Sequence, residues 1–126
     1  MAESIDPLMG KRVADRCVLG VDLGGTAIKL GLFSLEGGLL AEHQRPTPQP
    51  ATPGSVCVEI VDAIGSLDPD GLASVVGIGL PGPMDADARV ARICINLPGW
   101  EEVPLAAWLE PRLQRRVTLA NDGNCA

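Results

Sequence analysis

The chain has 126 residues, 46% of them hydrophobic, and a net charge of −6, which is enough for one domain with a core and too short for two of ordinary size. The acidic balance and the scarcity of aromatic side chains (Phe33, Trp100, Trp108, no tyrosine) exclude a phosphate-backbone footprint and a base-stacking platform, so nucleic acid is not an expected partner. No apolar run approaches the ~20 residues that cross a bilayer, and the opening MAESIDPLMGKRVADR lacks the apolar stretch of a secretory signal; the expectation is a cytoplasmic protein with no membrane partner.

Residues 1–15 read as a flexible arm. From Cys17 to Asp22, CVLGVD predicts a buried strand, LGGT a turn, and AIKLGLFSL, Ala27 to Leu35, a second strand with Ile28, Leu30 and Leu32 on one face. Gly37 and Gly38 turn the chain again, and LLAEHQ opens a third strand that ends in the extended loop RPTPQPATP. Thr52 and Pro53 supply the cap and first residue of a helix with Val56, Ile60, Ile64 and Leu67 at helical spacing; Gly65 and Pro69 mark its end. SVVGIGLPGP, Ser74 to Pro83, predicts a fully buried strand running into a rigid loop. MDADARVARICINLPGW then reads as an irregular surface excursion. Pro104 opens a second helix carrying Leu105, Trp108 and Leu109, which Pro111 should kink or shorten because it has no amide proton for the carbonyl of residue 107. RVTLA gives a fifth strand that delivers Asn121 and Asp122 at its carboxyl end. The fold class is therefore α/β: a mixed five-stranded sheet, antiparallel meander plus parallel strands, with two crossover helices. Ligands of such sheets gather at the carboxyl ends of the parallel strands.

Three segments carry chemistry. In VDLGGTAIK, Val21 to Lys29, a carboxylate ends a strand and a glycine turn follows whose amides suit an anion such as phosphate; an ordinary hairpin turn has the same composition. GIGLPGPMD matches GxGxxG at Gly77, Gly79 and Gly82. It lacks the helix opening and the βαβ start of a dinucleotide site, so it reads as a proline-stiffened loop that exposes backbone. In LANDGNCA, Asp122 suits proton removal from a hydroxyl and Asn121 suits hydrogen bonds to neighbouring hydroxyls, although Asn, Asp and Gly also favour turns for local reasons. Cys17, Cys57, Cys94 and Cys125 are widely spaced and signal neither zinc nor a disulfide framework. His43 is expected on a solvent-facing strand, and Asp85, Asp87, Arg89 and Arg92 in a solvated loop.

In this order, VDLGGTAIKLGLF, GIGLPGPMD, INLPGW and LANDGNCA resemble the amino-terminal lobe of the ROK family of sugar kinases, glucokinases and N-acetylhexosamine kinases within the actin-like ATPase (ribonuclease H-like) fold. The resemblance runs from Cys17 to the last residue and implies one lobe, residues 16–126, of a two-lobed enzyme. By resemblance, Asp122 is the catalytic base toward the sugar hydroxyl, and Asn121, Gly82 and Asn96 (in INLPGW) meet the sugar. Asp22 lies near Mg2+, the metal ion, while Gly24, Gly25 and Thr26, with Lys29 assisting, face the phosphates of ATP. The family's zinc segment has no counterpart in this chain. The substrate implied is a hexose phosphorylated at the 6-hydroxyl, with an N-acetylhexosamine as the alternative and a non-catalytic sugar sensor as a further one. Half an active site, inactive alone, follows as an expectation, together with a homodimer or a complementing carboxyl-terminal lobe.

Overall fold

The computed structural model describes residues 17–94 and 97–121; the amino-terminal arm expected over 1–15 lies outside them. Strand β1 (Cys17–Leu23) pairs antiparallel with β2 (Ala27–Ser34), and β2 with β3 (Gly38–Pro46). After helix α1 (Pro53–Leu67), strand β4 (Ala73–Leu80) returns parallel to β1. Two short strands follow, β5 (Ala91–Ile93) and β6 (Glu101–Val103), then helix α2 (Leu105–Leu113) and β7 (Arg116–Asn121), parallel to β4. The main sheet has five strands in the order β3-β2-β1-β4-β7, the mixed sheet read from the sequence.

Strand alternation decides where the core lies. Leu19, Val21 and Leu23 of β1, Ile28, Leu30 and Leu32 of β2, and Val76, Ile78 and Leu80 of β4 are buried. They meet Val56, Ile60 and Ile64 of α1 and Leu105 and Leu109 of α2, and the two helices also touch each other. Each such side chain contributes about 1.5–3 kcal/mol on leaving water. At the start of α1, Thr52 Oγ1 accepts the Ser55 amide at 3.3 Å and Pro53 occupies the first turn, as Thr52-Pro53 predicts. Gly65 does not end the helix, which runs on to Leu67 before Pro69 stops it. Asp68, at the helix terminus, is buried. Its carboxylate accepts the amides of Leu72 (2.9 Å) and Ala73 (3.0 Å) and Arg115 Nη1 (2.7 Å), tying the α1–β4 connection to the turn before β7.

Two expectations are corrected. β4 is not buried throughout: Ser74 is exposed and Val75 and Gly77 are half-buried. The stretch after Pro83 is not wholly irregular: β5 and β6 pair through Ala91↔Val103 and Ile93↔Glu101, with a bridge from Met84 to Ala91. Three-residue strands are too short to show a period of two. α2 carries Pro111 and continues to Leu113, closing with Gln114 in the left-handed region; Pro111 has no amide proton for the carbonyl of Ala107, an exposed residue. On that helix Leu105, Ala106 and Leu109 form the buried stripe, while Trp108 is 45% exposed.

Candidate active site

The carboxyl ends of β1, β4 and β7 lie side by side, because Asp22 is in register with Gly79, and Leu80 with Asn121. The topology thus gathers Asp22, the loop that begins at Pro81 and carries Gly82, and Asn121 at one end of the sheet. Across the hairpin Asp22 is also in register with Lys29, and both are exposed on the face away from the helices. That face forms an open groove of about 500 Å³ lined by Gly20, Asp22, Lys29, Gly31, Gly77 and Thr118 among others. Asp122 and Asn96 lie outside the described residues.

The turn between β1 and β2 closes through the Gly24 amide, which donates to Ala27 O at 3.0 Å. A Cβ on Gly24 would sit 2.9 Å from that same oxygen, so local packing requires glycine there. Gly25 is different: its φ is not positive and a Cβ would meet nothing within 4 Å. Its missing side chain matters only to something approaching from outside. Gly82 is buried, and a Cβ there would overlap the Ile93 carbonyl oxygen. Packing against β5 therefore accounts for this glycine by itself.

Asp85 and Arg89 do not form a merely solvated loop. Asp85 Oδ1 accepts the amides of Arg89 (2.8 Å) and Val90 (3.0 Å), and these bonds hold its carboxyl below the ordinary range. Arg89 pairs with Glu110, whose carboxylate also accepts the Val117 amide at 3.0 Å. The Arg89 hydrogen bond, then the Val117 amide, lowers the Glu110 pKa to about 2. Leu119 N donates to Ala88 O at 2.8 Å, so this loop is fastened along the outer side of β7, the strand that carries Asn121. Isolated charges in the sequence gave no sign of these partners, since Glu110 and Val117 are distant along the chain. Asp87 and the Arg92–Glu102 pair (3.0 Å) are exposed, as expected. His43 is half-buried, and its Nε2 accepts Arg45 Nε at 2.9 Å. Its place on the helix side follows from its register with Leu30. Cys17, Cys57 and Cys94 are buried, and burial pushes the Cys57 thiol up.

Two residues that sequence reading passed over, Thr47 and Gln49, lie in the proline-rich loop and bond to the glycine turn: Thr47 Oγ1 to Gly24 O at 2.7 Å and Gln49 Nε2 to Gly25 O at 3.1 Å. Trp100 is 1% exposed and donates its indole N–H to Ala51 O at 2.8 Å. The signal available was the spacing of polar residues between prolines in RPTPQPATP, where extended backbone presents side chains to a neighbour.

A meander followed by two parallel crossovers, with candidate ligands at the strand ends, defines a lobe of the actin-like ATPase class. The sequence pattern of the ROK family matches residues 18–126, and the chain belongs to that family. It is 36% identical over 107 residues to a glucokinase of Thermotoga maritima, covering 85% of this chain and 34% of the relative. It is equally 36% identical over 107 residues to an N-acetyl-D-glucosamine kinase of Pectobacterium atrosepticum, covering 84% and 34%. The crystal structure of a ROK family glucokinase from Streptomyces griseus in complex with glucose and AMPPNP superposes with a TM-score of 0.78 at 30% identity, over 86% of this chain and 34% of that one. The chain thus spans about a third of the length of these relatives.

Proposed function

We propose that the chain is the amino-terminal lobe of an ATP-dependent sugar kinase that phosphorylates a hexose at its 6-hydroxyl. The observation that carries this reading is the convergence of Asp22, the Gly82 loop and Asn121, distant in sequence, at one end of the sheet. In this reading the turn Gly24-Gly25-Thr26 faces the phosphates of ATP, and Lys29 adds positive charge from the neighbouring strand. Asp22 fits Mg2+: it is an exposed carboxylate beside the turn, and Mg2+ commonly takes one or two carboxylates together with substrate phosphates. When bound, the ion neutralises charge on the transferring phosphoryl group.

Asn121 and Asn96 hold sugar hydroxyls, the Gly82 backbone borders the sugar, and Asp122 takes the proton from the attacking hydroxyl. Positioning supplies most of the acceleration, since phosphoryl transfer passes through a loose transition state. The rest of the site comes from a second lobe, so the chain alone is inactive. An N-acetylhexosamine is the second reading, favoured by the equal identity to the N-acetyl-D-glucosamine kinase relative.

The test is a coupled assay with glucose, N-acetylglucosamine and N-acetylmannosamine on this chain, on the chain continued by the coding sequence that follows it, and on the Asp122→Asn form of the latter. Phosphorylation of one sugar by the continued chain, lost by at least a hundredfold in Asp122→Asn, supports the reading. An inert continued chain, or full activity in Asp122→Asn, overturns it.

A further inference from the structure

Three consecutive carbonyls of the glycine turn are taken by a single loop. Thr47 Oγ1 holds Gly24 O at 2.7 Å, Gln49 Nε2 holds Gly25 O at 3.1 Å, and the Thr47 amide holds Thr26 O at 2.9 Å. A trans peptide points its N–H opposite to its C=O, and the peptides of this turn are trans. Gripping the carbonyls of Gly24 and Gly25 therefore turns the N–H groups of Gly25 and Thr26 away from the loop. Neither donates to a backbone carbonyl among the described residues. The open space over Gly25, where a Cβ would touch nothing, leaves that side accessible.

We infer that Thr47 and Gln49 are positioning residues, which hold the turn by its carbonyls so that two adjacent amides face a phosphate chain. The inference rests on the proposed role of the turn at the phosphates, and adds how its amides come to face that way. The gripping loop is itself fixed. Thr47 is 4% exposed, and Ala51, 2% exposed, accepts the buried Trp100 indole at 2.8 Å. A loop anchored at both ends loses little further freedom when the ligand arrives, which is the requirement for presenting donors in advance. Thr47 carries more of the grip than Gln49, because its bonds are shielded whereas Gln49 is exposed.

The experiment is a ¹⁵N–¹H titration of this chain with tripolyphosphate, and separately with ATP and Mg2+, for the wild type, Thr47→Val, Thr47→Ser and Gln49→Ala. Gly25 and Thr26 amides are expected to shift in the wild type and in Thr47→Ser, which keeps the hydroxyl. Affinity should fall about tenfold in Thr47→Val and about twofold in Gln49→Ala, the ratio expected for losing a shielded and an exposed hydrogen bond. Wild-type affinity in Thr47→Val overturns the inference; if that variant fails to fold, equal affinity in Gln49→Ala and the wild type does so. Unmoved Gly25 and Thr26 amides in the wild type overturn it even where the sugar-kinase assay succeeds. Shifts that weaken as stated, in a protein that phosphorylates no sugar, leave the inference standing and remove the proposed function.

Discussion

Under α1 and α2 the central strands carry Leu19, Val21, Ile28, Leu30, Val76 and Ile78, all buried. One residue along, on the opposite face, they carry Gly20, Asp22, Lys29, Gly31, Gly77 and Gly79. Register places Gly31, Gly20 and Gly77 in one row across β2, β1 and β4. The glycines of this row are not equivalent. A Cβ on Gly31 would come 2.7 Å from the Phe33 ring, whereas one on Gly77 would meet nothing nearer than Leu19 O at 4.0 Å. Glycine inside a strand weakens it and marks places where another group approaches closely. The covered face is closed by the chain's own packing, and the other is kept low and carries the candidate site residues Asp22 and Lys29. The packed core and the candidate site thus fall on opposite sides of the same strands.

Substitutions on the two sides should separate these roles. The largest effect is expected from Arg115→Ala, on the helix side, which leaves the buried Asp68 carboxylate without its cation; thermal or urea unfolding should show a loss of about 3–5 kcal/mol. Ile78→Ala, under the helices, should cost about 2–5 kcal/mol, with the far-ultraviolet spectrum unchanged below the transition. On the open face, Gly77→Ala should leave stability unchanged or raise it by about 0.5–1 kcal/mol. A loss there as large as that of Ile78→Ala would erase the distinction between the faces.

The smallest effect concerns pH. Because Glu110 has its folded pKa lowered from 4.5 to about 2, its contribution is present above 4.5 and fades as pH falls through 4.5 toward 2. Replacing it in Glu110→Gln should flatten the acid limb of the stability curve. An unchanged slope between pH 4.5 and 2 would show that the Arg89–Glu110 pair does not differ between the folded and unfolded chain.

The sheet was legible because the apolar runs of β1 and β4, the alternation of Ile28, Leu30 and Leu32 in β2 and the Thr52-Pro53 cap are local signals. β5 and β6 were not, since each is defined by its partner rather than by its own residues. Trp108 lies on the second helix as read, but it stands outside the buried stripe that Leu105, Ala106 and Leu109 form. Of the candidate site, the ends of β1 and β7 were readable from the boundaries of apolar runs. The bonds from Thr47 and Gln49 to the glycine turn span 23 and 24 residues, and the clamp from Arg89 to Glu110 spans 21; the polar spacing in RPTPQPATP marks residues able to reach a neighbour, but local composition does not encode which neighbour they meet. Gly82 shows the converse case, a motif glycine whose presence is explained by steric packing against Ile93.

The fastening of the 85–90 loop along β7 also bears on self-association. β7 ends the sheet, and a bare terminal strand is a template on which another chain can build. Here the outward amides of Val117 and Leu119 are already engaged, by Glu110 and by Ala88 O, and Arg89 Nη1 reaches Val117 O at 3.5 Å. Among the described residues the opposite margin, β3, has no neighbouring strand on its outer side. A sheet with a single unblocked margin can join one other copy, β3 against β3, and the junction uses up the margin of both. On the described residues alone, strand addition would therefore end at a pair, because each copy offers one open margin.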